Sequence, residues 1–209
     1  MPNLYAICGT PYRDFATWTD SLTILADLGA EVLAPGHTRP VFGADKVRQV
    51  LTTTRDAIRH VMRHTAIGID AGLPLDDIVA TLVLPPELAD LPWLGEYYGR
   101  ASWSARAFAT GTLGWYDGNP THLGTLATKE RATHMAKLAG GRDVMMRAAE
   151  QSDDLQWCLE LCDHLIALDA PAEMLKATTM ERLAEDEVNA TARNTYLWEA
   201  QQLRKKLEA

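Results

Sequence analysis

The chain has 209 residues, of which 47% are hydrophobic and 23% are charged, and its formal net charge is -8. This composition is ordinary for a globular protein in water, and the length allows one large domain or two small ones. The negative charge disfavours nucleic acid as a partner. The tight basic run Arg204-Lys205-Lys206 is interpreted as positive charge at the C-terminal end of a helix.

The sequence predicts neither a membrane span nor a secretory signal. No apolar run reaches the roughly 18 residues that a spanning helix needs. Residues 1–5 lack a basic region followed by an apolar one. We therefore expect a cytoplasmic protein.

Three cysteines, at positions 8, 158 and 162, form no disulfide framework, which agrees with a reducing compartment. Cys158 and Cys162 are four residues apart on a predicted helix and therefore share a face. They are interpreted as small buried hydrophobic residues, with a two-ligand metal clip as the alternative.

The first forty residues predict a β-α-β fragment. A short strand over residues 4–8 precedes a helix over 14–28, where apolar residues recur at helical spacing and Gly29 ends the pattern. A second strand is predicted over 31–34, before Pro35 and Gly36. Two strands do not form a stable sheet alone, so this fragment must pack on something else.

After Gly43 the pattern is helical. Helices are predicted over 44–70, 75–82 and 102–113, and then almost throughout from Thr128, with short breaks. The last segments predict antiparallel helix pairs that resemble tetratricopeptide units. The composition changes near Gly43 and again near Leu126, and the predicted domains are residues 1–43 and 44–209.

Histidines are the first candidate metal ligands. His37 follows a predicted strand on a Pro-Gly turn, where loops of α/β folds often place ligands; the alternative is a hydrogen-bonded turn residue. His60 and His64 have the i, i+4 spacing of a metal-binding pair. The neighbouring Arg59 and Arg63 would repel a dication, so a packed or solvated helix face is the competing interpretation.

Other candidates lie in loops and near turns. Arg13 carries a guanidinium, whose fork of donors suits the oxygens of an anion; it could instead order its loop through a salt bridge. The aromatic residues Tyr97 and Tyr98 could line an apolar channel or anchor one domain on another. Residues 111–120 end a helix with an aromatic pair followed by Asp-Gly and Asn-Pro, two strong turn signals.

Several of these motifs, in this order, resemble the alkylsulfatase group of the metallo-β-lactamase superfamily. The resemblance covers residues 3–126. It is carried by Asn3-Leu4-Tyr5, Tyr12-Arg13-Asp14, Pro35-Gly36-His37, Arg55-Asp56, Leu84-Pro85-Pro86, Tyr97-Tyr98-Gly99 and the segment from Leu113 to Pro120.

The resemblance implies a mainly α protein. In it, a short N-terminal β-α-β remnant of a metallo-β-lactamase fold precedes a helical, tetratricopeptide-like dimerisation domain. Proteins of this group hydrolyse alkyl sulfate esters with two zinc ions and dimerise through helices. The resemblance further implies that His37 is a zinc ligand and that Arg13 lines the pocket that binds the substrate's sulfate. Relatives carry tyrosines at the positions of Ala109 and Thr112 and an asparagine at the position of Ser104. Because this chain lacks those side chains, the helix is not expected to bind sulfate directly.

The sequence contains no His-x-His-x-Asp-His motif, and one histidine does not make a binuclear zinc site. We therefore expect a truncated relative that serves as a homodimerisation module, with an incomplete zinc site or none. The alternative is a metal-dependent hydrolase of alkyl sulfate or other esters whose site a companion chain completes. A helical scaffold that binds a different partner is a third interpretation.

Overall fold

The structure is a computed structural model that describes residues 1–2, 4 and 13–208. The predicted fold class is confirmed: within these residues the chain is mainly helical, with ten α-helices and a two-stranded antiparallel sheet near the N-terminus. It divides into two compact units, Met1–Leu123 and Gly124–Ala209. The division falls near the composition change at Leu126, and the domain boundary at residue 43 stays a prediction.

The first helix, α1, spans Phe15–Asp27 and agrees with the helix predicted over 14–28. Asp14 caps its N-terminus, because the carboxylate accepts a hydrogen bond of 2.6 Å from the Thr17 amide. This bond lowers the pKa of Asp14. The helix buries Phe15, Leu22 and Ala26, and Phe15 contacts Phe108 with ring centroids 5.7 Å apart.

A short hairpin follows α1. Strand β1 (Val32–Leu33) pairs antiparallel with β2 (Val41–Phe42), so that Val32 lies opposite Phe42. The strand predicted over 31–34 is therefore confirmed, whereas its neighbour β2 was not predicted. The other predicted strand, over 4–8, lies outside the described residues except for Leu4, which is fully buried.

Helix α2 (Ala44–Asp70) is the longest element and matches the predicted range. It packs against α1, and its residues Ala57, Ile58 and Val61 are fully buried. The remaining α-helices of this unit are α3 (Leu75–Ala80), α4 (Pro86–Ala89) and α5 (Ala101–Leu113), and a 3₁₀ turn spans Pro92–Leu94. Gly68 allows α2 and α3 to pack closely, because a Cβ there would lie 2.5 Å from Ile78 Cγ1.

The second unit is made of five helices: α6 (Thr128–Ala139), α7 (Arg142–Glu150), α8 (Leu155–Ala167), α9 (Glu173–Glu185) and α10 (Ala190–Glu208). Gly140, with φ of 92°, ends α6 in the left-handed conformation that glycine adopts without strain. One buried cluster joins α6, α7 and α8, and a second joins α8, α9 and α10. Each helix thus covers the apolar face of its neighbours. None of the described helices is long and apolar enough to cross a membrane.

Candidate functional site

The predicted metal ligand His37 lies in the loop between β1 and β2, and its side chain is exposed. The backbone turns sharply there, since Thr38 has a φ of 74°. An exposed imidazole on a hairpin is accessible to a ligand from outside the chain. The role of His37 in metal binding stays a prediction.

The predicted anion-binding residue Arg13 is half-buried and directly precedes the capping residue Asp14. Helix α1 separates it along the chain from the hairpin that carries His37. The 13 residues of this helix span about 20 Å at 1.5 Å per residue. The role of Arg13 in binding sulfate also stays a prediction.

The alternative metal pair, His60 and His64, is used for main-chain hydrogen bonds. His60 Nε2 lies 2.9 Å from the carbonyl oxygen of Val83, and His64 Nε2 lies 2.9 Å from that of Ile78. The two rings stack with centroids 6.4 Å apart. This geometry favours the packed helix face, because these bonds attach α3 and the segment after it to α2.

Zinc is the metal that the family resemblance implies. Within residues 1–2, 4 and 13–208, no group of three or more His, Cys, Asp or Glu side chains could hold a metal ion. A catalytic zinc needs three protein ligands, and a binuclear centre needs more. The donors in the described part of the chain therefore do not fit a zinc centre held by one copy alone.

Two of the positions considered for sulfate binding on α5 are buried. Ser104 is fully buried and its hydroxyl donates to the Arg100 carbonyl of its own helix at 2.8 Å. Ala109 is buried too. Upstream, Tyr97 and Tyr98 are exposed by 61% and 57%.

The turn after α5 is held by its own side chains. Asp117 Oδ1 accepts the Asn119 amide at 3.1 Å, and Asp117 Oδ2 lies 2.5 Å from His122 Nδ1. The amide hydrogen bond and then the bond to His122 lower the pKa of Asp117. Gly114 and Gly118 have φ of 80° and 89°, which a side chain would strain. The turn predicted from Asp-Gly and Asn-Pro is thus present.

This turn forms one wall of a cavity of about 860 Å³ in the first unit. The other walls are the C-terminal end of α2, the start of α3 and the last turn of α5. On the wall of the cavity, Arg106 Nη2 and Asp76 Oδ1 form an ion pair of 2.7 Å. Sequence reasoning missed His122, because it follows the turn motif at a position that no recognised pattern marks.

A second exposed feature lies on α10. Its residues Ala192 and Ala200 are buried towards the rest of the second unit, whereas Leu197 and Trp198 are exposed by 40% and 59%. Large apolar side chains on the outer face of a packed helix are typical of contact surfaces.

Comparison with known proteins agrees with the motifs. The family model "Alkyl sulfatase dimerisation" matches residues 75–206. The linear primary-alkylsulfatase of Pseudomonas sp. (strain ATCC 19151) is 38% identical over 215 residues, which cover 100% of this chain and 41% of that protein. The (R)-specific secondary-alkylsulfatase of Pseudomonas sp. is 34% identical and is matched over 98% of this chain and 32% of its own length.

The solved structure of the stereoselective inverting sec-alkylsulfatase Pisa1 from Pseudomonas sp. superposes with a TM-score of 0.90 at 35% identity. The match covers 98% of this chain and 34% of that one. The chain thus spans between 32% and 41% of the length of the curated relatives it matches. Because the family model covers more than half of the chain and the helices superpose closely, the chain belongs to the alkyl sulfatase dimerisation family and is related to the alkylsulfatases.

Proposed function

We propose that this chain is a homodimerisation module of the alkylsulfatase group and that one copy alone does not hold a complete binuclear zinc site. The observation that supports this most is the match of residues 75–206 to the dimerisation family. The matched range includes α3, α4 and α5 of the first unit and nearly all of the second unit.

We assign the dimer contact to the outer face of α10, because this apolar face lies within the matched residues. At 100° per residue, Trp198 lies on the side of α10 away from the buried Ala192 and Ala200, and the partly exposed Leu197 lies between these two sides. Tryptophan is enriched at the energetic centres of interfaces. In a twofold dimer the same face occurs on both copies, so two α10 helices would meet.

A competing apolar surface lies at the end of α1 and on the hairpin. Ile24 and Leu28 are exposed by 65% and 67%, and the paired strand residues Val32 and Phe42 by 52% and 70%. This surface precedes residue 75, where the family match begins. It therefore serves as the internal comparison for the proposed α10 contact.

The test is sedimentation equilibrium of the whole chain and two charge-introducing variants. The substitution Trp198→Glu should weaken the dimer by at least about 30-fold, since removing a central aromatic residue costs about 2 kcal/mol or more. Ile24→Glu makes the same kind of change on the competing surface and should leave the dimer unchanged. A dimer that survives Trp198→Glu but not Ile24→Glu would reject the α10 contact, and a monomeric chain would reject the function.

Ester hydrolysis by this chain is the alternative, and it requires a second polypeptide that completes the metal site. The described residues give this alternative no support, because they contain no group of three or more His, Cys, Asp or Glu side chains that could hold a metal ion. Counting zinc ions per copy distinguishes the two functions.

A further inference from the structure

The cavity of the first unit is mostly apolar and open to solvent. It measures about 860 Å³ and lies between the end of α2, the start of α3, the end of α5 and the turn after α5. Much of its wall is formed by Ile69, Leu73, Leu75, Ile78, Ala109 and Leu113, and two of these residues, Leu73 and Leu113, are exposed. An apolar recess of this size, left open to water, is typical of a contact surface.

Trp115 lies on the rim of this cavity and is exposed by 75%. Its ring contacts the edge of the Tyr116 ring, with centroids 5.8 Å apart. The turn that carries it is fixed, because Asp117 Oδ1 accepts the Asn119 amide and Asn119 Oδ1 accepts the Thr121 amide, both at 3.1 Å. Trp115 is thus a large apolar side chain held at the surface on an ordered turn, so little ordering cost opposes its burial by a partner.

We propose that the occupant of this cavity is Trp115 of a second copy of the chain, and that the exchange is reciprocal. In a twofold dimer both copies offer the same surface, so a copy that inserts its Trp115 also receives that of its partner. This inference rests on the homodimer proposed above and adds a second contact to the one assigned to α10. Trp115 and the cavity wall from Leu75 to His122 lie within residues 75–206, which match the dimerisation family.

The area that the exchange buries is that of a contributing contact. A tryptophan buries about 150 Å² or more, and the cavity wall that receives it loses a similar area. Two indoles and two cavities together remove about 600 Å² from water, which is half of the roughly 1,200 Å² that a stable interface needs. The cavity contact is therefore too small to hold a dimer alone, and the α10 face supplies the remainder.

The charges of the cavity wall permit the approach of a second copy. The net charge of the whole chain is -8, which opposes contact between copies. On the wall, Arg106 Nη2 lies 2.7 Å from Asp76 Oδ1, and His122 Nδ1 lies 2.5 Å from Asp117 Oδ2. Each of these carboxylates thus has a basic neighbour, so the repulsion between copies is weaker here than the net charge alone implies.

Sedimentation equilibrium of two variants tests the contact. Trp115→Ala removes the inserted ring, and Thr110→Arg fills the cavity from an exposed position of α5. Each should weaken the dimer by at least about 30-fold, because an inserted aromatic residue is a typical energetic centre of an interface. Thr133→Arg, at an exposed position of α6 in the other unit, is the matched control and should leave the dimer unchanged.

A mixture of the two variants tests the reciprocal exchange. Dimers of either variant lose both insertions, whereas a mixed dimer keeps one, from the Thr110→Arg copy into the open cavity of the Trp115→Ala copy. Native mass spectrometry resolves the three dimers by mass, and the mixed dimer should exceed random pairing at least about 10-fold. Trp115→Ala mixed with Thr133→Arg should show no such excess, because one of the parent dimers then keeps both insertions.

The possible results separate this contact from the function on which it rests. An unchanged chain that stays monomeric would overturn both. A dimer that both variants leave intact, or random pairing in their mixture, would overturn the cavity contact alone. A small molecule that accompanies the chain in the native spectrum and is lost in Thr110→Arg would be a different occupant and would also overturn it. If Trp115→Ala does not fold, as judged by circular dichroism, Trp115→Gln replaces it.

Discussion

Arg204 and Glu181 form a two-point ion pair that connects α10 to α9. The distances are 2.8 Å from Nε to Oε1 and 2.6 Å from Nη2 to Oε2. Parallel bonds of this kind between a guanidinium and a carboxylate combine charge with fixed geometry. Arg204, which belongs to the basic run expected at the C-terminal end of a helix, thus also bonds to Glu181 of the neighbouring helix.

The Glu181–Arg204 pair should make the stability of the chain depend on pH in the acid range. The hydrogen bond from Arg204 lowers the pKa of Glu181 below its ordinary value of 4.5. A carboxyl group whose pKa is lowered by folding stabilises the folded state at pH values above its unfolded-state pKa. This stabilisation is lost as the pH falls through its folded-state pKa. Glu181→Gln should therefore lower Tm at pH 7 and have little effect at pH 3.

Both side chains of this pair are more than one-third exposed, so solvent screens the interaction. We expect a Tm change of no more than about 4 °C at pH 7, measured by thermal denaturation. Glu185→Gln, a substitution at an exposed position of α9, is the matched control. Equal effects of the two substitutions at pH 7 would contradict the assigned role of the pair.

Gly99 should not tolerate any side chain. A Cβ at this position would lie 2.2 Å from the carbonyl oxygen of Pro2, which is main chain and cannot rotate away. Met1 and Leu4 on either side of Pro2 belong to the buried core, so Gly99→Ala must displace them. Overpacking of this kind costs about 1–3 kcal/mol.

Urea denaturation measures this cost, with Gly124→Ala as the control. A Cβ at Gly124 meets no atom within 4 Å, and the control should therefore change the free energy of unfolding by less than about 0.5 kcal/mol. Similar stabilities for the two variants would show that the N-terminal residues do not pack against Gly99.

The two free, buried cysteines of α8, Cys158 and Cys162, should be unreactive in the folded chain. Burial, followed by the neighbouring Cys158, raises the pKa of the Cys162 thiol to about 12. Only the thiolate reacts with electrophiles. A disulfide reagent at pH 8 should modify Cys162 at least about 100-fold more slowly in the folded chain than in denaturant.

The experiment uses a Cys8→Ser background, because Cys8 lies outside the described residues.

The dependence of stability on pH gives a second readout. A thiol with a raised folded-state pKa contributes stability that is complete below its unfolded pKa and is lost as pH rises from there towards 12. The free energy of unfolding should therefore decrease above about pH 8.5, less so in Cys162→Ala. Rapid labelling of the folded chain would contradict the buried position.

The histidine pair on α2 should stabilise α3 locally. His64→Ala removes one of two side-chain partners of the Ile78 carbonyl, the other being the Thr81 hydroxyl, and His60→Ala removes the partner of the Val83 carbonyl. Hydrogen exchange of amides 75–83 should become faster in both variants, with a loss of about 0.5–1.5 kcal/mol for each bond. His134→Ala, on the exposed surface of α6, is the control. Unchanged exchange would show that these bonds do not hold the segment.

Long periodic elements were predictable from the sequence, whereas short or side-chain-dependent features were not. Helix α2 is recognisable because apolar residues recur at helical spacing for 27 residues. Strand β2 has two residues between Pro40 and Gly43, too few for any periodicity. The bonds of His60 and His64 depend on the path of α3, which no local pattern encodes. The same is true of the pairing of His122 with Asp117.

One copy of the chain should not hold stoichiometric zinc. Native mass spectrometry of the purified chain, exchanged from buffer with zinc, should show a dimer without stoichiometric metal. The reason is that the described residues provide no group of three ligands, while His37 alone is too weak a site. His37→Ala should leave both the subunit count and the metal count unchanged. One or two zinc ions per copy, lost in His37→Ala, would instead identify His37 as a ligand of a shared or induced centre. That outcome would favour the hydrolase alternative, because a zinc-bound water is the nucleophile such chemistry requires.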